Sequence, residues 1–357
     1  MSDSNTDEVV IRREGRAGRI TLNRPKAFNA LTLGMVRSIW QTLLDWQKDA
    51  AIELVLLDGA GERGLCAGGD VRSLYDSHRT GSSLARTFWQ EEYRLNALIH
   101  RYPKPYVSLM DGIVMGGGIG LSAHGAFRIV TEKSQLAMPE TSIGLIPDVG
   151  GTYLLSRAQG QLGVYLGLIG ERMNGSDAIQ VGFASTFLPS DRLAALVARL
   201  VDPAGGPVDE VISECEDDIS IPASPLAAQA DLINRHFGFG TVEEIAASLN
   251  TTTHSIAQKA REELLKRSPL ALKTTLAAIH RARRLPTLEE ALNVEFRLCT
   301  RLFENGEFIE GVRALLVDKD RQPKWRPPTL SEVSDTMVAD LFAPMPAAEE
   351  LGLRPPA

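Results

Sequence analysis

The chain has 357 residues, of which 44% are apolar, 23% charged and 6% aromatic, a composition that builds a large core without staples and excludes a disordered or fibrous chain. A formal charge of -7 excludes a nucleic-acid coat, though not a local basic pocket for a phosphorylated ligand. Cys66, Cys215 and Cys299 are odd in number and widely spaced, which fits neither a disulfide framework nor a zinc pattern and points to a reducing compartment.

The opening segment, MSDSNTDEVV, is acidic with no Arg or Lys before Arg12, unlike a signal or transit peptide, so a cytoplasmic protein is expected. Short strand-like runs follow, VVIRRE and GRITLN, then a helical pattern from Thr32 to Lys48 and the strand ELVLLDG at Glu53 to Gly59. A second helix is expected over Leu84 to His100, and the run PYVSLMDG, a Gly cluster, FRIVTE and SQLAMPE come next. Strands separated by helices imply a buried sheet with right-handed crossovers. The most apolar stretch, Gly112 to Leu121, falls far short of the ~18 residues of a membrane span. No fixed-period repeat is present.

The run DPAGGP at Asp202 to Pro207, followed by Glu214, Glu216, Asp217 and Asp218, marks a boundary. The expected division is a core over 1–202, a mostly helical insertion over 203–267, a C-terminal helical region over 268–343 and a poorly ordered Pro-, Ala- and Glu-rich tail over 344–357. In Leu288 to Phe303 a broad apolar stripe runs through Leu288, Ala291, Leu292, Val294, Phe296, Leu298, Cys299, Leu302 and Phe303. Such a face packs on the chain's own core or on a second copy, which leaves a homo-oligomer open.

Two glycine-rich segments, CAGGD at Cys66 to Asp70 and MGGGIG at Met115 to Gly120, each follow a strand-like run. Glycines at a strand-to-helix turn let a ligand approach backbone N–H groups. Each alone is weak, because tight turns use the same residues, and neither matches a dinucleotide fingerprint or a Walker A loop. A third segment, AMPETSIGLIPDVGGTYLLSR, sets Glu140 after Pro139 and Asp148 after Pro147. Paired carboxylates suit acid–base or nucleophilic work; spacing alone equally allows Glu140 as a solvated loop residue and Asp148 as a helix cap. Cys66, His124 and Asp70, and the cluster Arg281, Arg283 and Arg284, are read as packing, capping or solvated residues.

Together RPKAFNAL at Arg24 to Leu31, CAGGD, GGG and PE-x-x-x-G-x-x-P-x-x-GG resemble the crotonase (enoyl-CoA hydratase/isomerase) superfamily from Asn23 to about Leu188. The resemblance implies an α/β fold, a ClpP/crotonase-like spiral of strand-strand-helix units with a C-terminal helical region. It also implies an acyl-CoA substrate, with no further cofactor, no metal, no nucleic acid and no membrane partner. By it, Gly69 and Gly117 supply the N–H donors of an oxyanion hole, Ala67 offers its carbonyl to the adenine, and Lys26 and Ala27 lie along the CoA nucleotide.

Hydratases of that superfamily use two glutamates; Glu140 matches the second, but Gly120 stands at the place of the first, and Asp148 replaces a common Gly. That exchange, with QEEYRLN at Gln90 to Asn96 and the C-terminal runs SPLALKTTL, EFRLCTRLF and FIEGVRALLVDKDRQPKW, is similar to the 3-hydroxyisobutyryl-CoA hydrolases of valine breakdown. Asp111 departs from their pattern, which has a neutral residue there. The resemblance implies thioester hydrolysis of a short 3-hydroxyacyl-CoA, with Glu140 activating water or attacking directly, Asp148 orienting and shuttling the proton, and Glu92 meeting the substrate hydroxyl. A short-chain enoyl-CoA hydratase or isomerase is the alternative.

Overall fold

The computed structural model describes residues 8–355; residues 1–7, part of the segment read as carrying no leader, and residues 356–357 of the tail lie outside the described residues. The first elements are β1 (Val9–Glu14), β2 (Ala17–Leu22), α1 (Leu33–Lys48), β3 (Leu54–Gly59), α2 (Val71–Thr80), α3 (Leu84–His100), β4 (Tyr106–Met110), β5 (Ile113–Met115) and α4 (Gly117–Ser122). Then come β6 (Phe127–Val130), β7 (Gln135–Ala137), α5 (Gly151–Arg157), α6 (Leu162–Ile169), α7 (Gly175–Gln180), β8 (Thr186–Phe187), α8 (Leu193–Val201) and α9 (Val208–Glu216). The remainder is helical: α10 (Pro225–Ala228), α11 (Ala230–Phe237), α12 (Val242–Leu249), α13 (Ser255–Leu264), α14 (Pro269–Ala282), α15 (Leu288–Glu304), α16 (Glu307–Val312) and α17 (Asp335–Phe342). Among the described residues no helix is long and apolar enough to cross a membrane.

These elements form two units, each discontinuous in sequence. The first holds residues 8–69, 94–136 and 173–227. Its sheet has the order β1-β2-β3-β4-β6-β8, in which only the β1–β2 pair is antiparallel. β3 is apolar through Leu54–Leu57, as a parallel strand covered on both faces must be. Thr32 caps α1 by accepting from the Met35 N–H at 3.2 Å, and the helix then buries Met35, Val36, Ile39, Leu43 and Trp46, the period of an amphipathic helix.

Ala17, Leu54, Leu56, Val107, Leu109 and Ile129 pack with Leu196 and Leu200 of α8 and Val211 and Ile212 of α9. The boundary expected at Asp202 to Pro207 therefore falls inside one core. Its Pro and Gly residues make the turn between α8 and α9, and Arg16 fastens that turn by donating to the Leu200 and Gly206 carbonyls at 3.0 and 2.7 Å.

The second unit holds residues 70–93, 137–172 and 228–355. Its helices start on local signals. Thr241 with Glu244 and Thr287 with Glu290 form capping boxes at α12 and α15, and Ser268 caps α14 by accepting from the Ala271 N–H at 3.0 Å. The apolar stripe of Leu288 to Phe303 becomes α15, packed on α5, α14, α16 and α17 of the same unit. Residues 344–355, expected to be poorly ordered, lie on α15 instead. Arg297 pairs with Glu350 at 2.9 Å, Asn293 exchanges two hydrogen bonds with the Leu353 backbone, and Leu351 is buried. Composition misjudged this segment because its partners lie about fifty residues away.

Candidate active site

The residues singled out in the sequence fall into two groups, one in each unit. In the first unit, Cys66 lies alongside Ile113–Met115: the Cys66 N–H donates to the Ile113 carbonyl at 3.1 Å, and the Met115 N–H donates to the Cys66 carbonyl at 2.9 Å. This short ladder carries both glycine-rich turns. At Gly68, which has φ +118°, a Cβ would lie 3.9 Å from the Gly117 nitrogen; at Gly118 it would sit 2.5 Å from the Cys66 carbonyl oxygen, where no side chain fits. Gly69 bridges to Leu31 in parallel fashion, and Gly117 is the first residue of α4, where an N–H has no partner within the helix.

Lys26 and Ala27 form an exposed single turn with Pro25, and the Ala67 N–H donates to the Phe28 carbonyl at 3.0 Å. Asn29 stitches the same loops by donating to the Ala60 and Gly64 carbonyls, both at 3.1 Å. Lys26, Ala27, Ala67, Gly69 and Gly117 thus belong to one stitched backbone layer. Asp70 caps α2 by accepting from the Ser73 N–H at 3.3 Å, and Asp111 accepts from the Thr131 hydroxyl at 2.5 Å.

The second unit gathers carboxylates. Glu92 comes from α3, Glu140 opens a single turn over Glu140–Ile143, and Asp148 precedes α5. Glu140 and Asp148 are each 6% exposed, and Glu92 2%, which removes the reading of Glu140 as a solvated loop residue. Nor is Asp148 a helix cap: Gly150 holds that position. Asp148 Oδ2 accepts instead from the Tyr93 hydroxyl at 2.5 Å. Glu140 Oε2 and Glu92 Oε1 are buried with no hydrogen-bond partner among the described residues.

Burial pushes the Glu140 carboxyl well above the usual carboxylate range, and the charge of Asp148 adds to it, with smaller contributions from Glu295 and Glu92. Glu92 is raised by the same two causes. Asp148 is pushed up to about 6 by burial, against the opposing hydrogen bond from Tyr93. Carboxyl groups in such a dry cluster do not all ionise together, so the cluster retains protons near neutral pH.

Sequence reasoning missed Tyr93, Glu295 and Cys299. Glu295, fully buried on α15, accepts from the Gly150 N–H at 2.7 Å, from the Thr152 N–H at 2.9 Å and from the Thr152 hydroxyl. Its signal was present: Leu288, Leu292, Glu295, Cys299 and Leu302 recur at helical spacing, so Glu295 is a charge in the middle of an apolar face.

The enoyl-CoA hydratase/isomerase family profile matches residues 17–342. The chain belongs to the enoyl-CoA hydratase/isomerase family. Among family relatives, the mitochondrial 3-hydroxyisobutyryl-CoA hydrolase of Danio rerio is 44% identical over 349 residues, 96% of this chain and 91% of that protein. The enzyme of the same name from Homo sapiens is 42% identical over 335 residues, 92% and 86% of the two chains. Among solved structures, a carnitinyl-CoA dehydratase from Mycobacterium thermoresistibile superposes with a TM-score of 0.91 at 46% identity, covering 97% of this chain and 98% of its own. An enoyl-CoA hydratase from Rhodobacter sphaeroides gives 0.90 at 43%, covering 97% and 100%. The α/β crotonase fold with its C-terminal helices is as expected. The cytoplasmic location is not: both hydrolases are named mitochondrial. An address is read by a receptor from a targeting segment, and composition is a poor guide to it.

Proposed function

We propose that this family member hydrolyses the thioester of 3-hydroxyisobutyryl-CoA, releasing 3-hydroxyisobutyrate and CoA. The observation that carries this reading is the identity of more than 40% to hydrolases of that name over nearly the whole chain. The carboxylate cluster supports it: Glu140 and Asp148 are both buried, and Gly120 leaves no carboxylate at the place of the first hydratase glutamate. The place of the reaction in valine breakdown follows from the same substrate.

In this mechanism Glu140 takes a proton from water as the water oxygen bonds to the thioester carbon. Glu140 acts in its ionised form, and once ionised a carboxylate raised above its ordinary pKa is the stronger base. Negative charge on the carbonyl oxygen is assigned to the N–H groups of Gly69 and Gly117, a class of contact worth about 10²- to 10³-fold per donor. The C–S bond then breaks and the thiolate takes the proton by way of Asp148; thiols ionise near pH 8.5, so no strong acid is required. Glu92 receives the 3-hydroxyl, and Lys26, Ala27 and Ala67 hold the CoA nucleotide.

Hydration of an enoyl-CoA is the second reading, favoured by the likeness to the solved carnitinyl-CoA dehydratase and enoyl-CoA hydratase. Release of free thiol from 3-hydroxyisobutyryl-CoA, with crotonyl-CoA as comparator, separates the two. Fast release that Glu140→Gln abolishes is the expected result; loss of the enoyl absorbance without thiol release overturns the hydrolase.

A further inference from the structure

Asp148 is held from two sides by groups that contribute no atom to the reaction. On one side, the Tyr93 hydroxyl donates to Asp148 Oδ2 at 2.5 Å and lies 3.3 Å from Cys299 Sγ. Tyr93 is fully buried, its ring edge-on to Phe296 at 6.3 Å between centroids, so the hydroxyl has no freedom to swing away. Because burial and the Asp148 charge push its own ionisation far up, the phenol remains a donor.

On the other side stands the backbone. Val149, next to Asp148, has φ +52°, a conformation costly for a β-branched residue. What holds it there is Glu295, whose two oxygens accept from the Gly150 and Thr152 N–H groups just beyond. A buried carboxylate from α15 thus takes two of the amides at the start of α5 that would otherwise have no partner.

Resting on the thioesterase reading above, we infer that Tyr93 and Glu295 are the positioning residues of Asp148: Tyr93 holds one carboxylate oxygen, and Glu295 fixes the strained turn that carries it. The ionisable groups facing Asp148 are Glu92 and Tyr93 from α3, Glu140 from its own segment, and Glu295 and Cys299 from α15. Tyr93 supplies the largest of the hydrogen bonds that favour the charged form of Asp148, with the backbone and Cys299 adding to it, so its loss moves that ionisation upward.

The test is the pH profile of thiol release for the unmodified protein, Tyr93→Phe and Glu295→Gln. Tyr93→Phe keeps the ring, and is expected to move the acidic limb up by about one pH unit and to lower kcat about ten-fold near neutral pH, with KM within about three-fold. Glu295→Gln is expected to lower kcat about ten-fold or more at every pH. A Tyr93→Phe profile that superimposes on that of the unmodified protein, or a uniform loss without a shift, overturns the proposal, even where Glu295→Gln fails to fold. A carbon-13 carboxyl NMR titration of Asp148 reads the Tyr93 effect without substrate. A shift there in a protein that releases no thiol sinks the thioesterase and keeps the positioning role; no shift sinks the positioning role alone.

Discussion

The glycine turns of the first unit and the carboxylate cluster of the second are built in opposite ways. The turns consist of backbone: Cys66 and Met115 are laddered, Gly118 has no room for a Cβ, and the contacts run between main-chain groups. The cluster consists of side chains from α3, the segment after Pro139 and α15, joined by bonds such as Tyr93–Asp148 and Glu295–Thr152 that span 55 and 143 residues. A backbone site is stable because its polar groups are paired; a buried carboxylate site is costly, because burial works against every charge in it. Substitutions in the first region should therefore harm fold and activity together, and in the second should separate them.

The largest expected effect is Glu140→Gln, a loss of about 10³-fold in kcat for thiol release with no fall in melting temperature. Gly118→Ala gives the contrast. Its Cβ would meet the Cys66 carbonyl oxygen at 2.5 Å, so the turn must shift, with a loss of about 10²-fold in kcat/KM and roughly 1–3 kcal/mol of stability by urea unfolding. If Gly118→Ala cost activity but no stability, the comparison would break.

Asp148→Asn sharpens it through pH. The Asp148 proton is retained up to about 6 in the folded chain, against 3.8 for an ordinary aspartate. Across that window the folded state binds more protons, so stability falls as pH rises and the full cost is present above it. Asp148→Asn removes this cost, and should raise stability by on the order of 3 kcal/mol near pH 8 and by nothing near pH 3, measured by urea unfolding. The smallest effect concerns the segment on α15: Arg297→Ala, which breaks the pair with Glu350, should cost about 1 kcal/mol and leave kcat unchanged.

The comparison also explains which parts were legible. β1, β2, α1, β3, α3 and α15 stand where alternation, helical spacing and capping residues put them. Gly69, Gly117, Glu140 and Asp148 are singled out by the motifs around them. Tyr93 and Glu295 were passed over because nothing near them in the sequence announces a partner; Glu295 sits in an apolar stripe that reads as core, and Tyr93 stands beside a glutamate that drew the attention. The boundary at Asp202 to Pro207 failed for the opposite reason, since Pro and Gly signal a turn equally well within a core and between two.

By itself, then, the sequence determined the elements, the two glycine turns and the carboxylates available for chemistry, because these depend on short-range periodicity and on residues that act through their own backbone. Tertiary structure alone decided that the carboxylates are buried together, that Asp148 bonds to Tyr93 while Glu295 grips the turn beyond it, and that the C-terminal segment lies along α15. Those outcomes depend on burial and on hydrogen bonds between distant residues, and both come into being only when the helices pack.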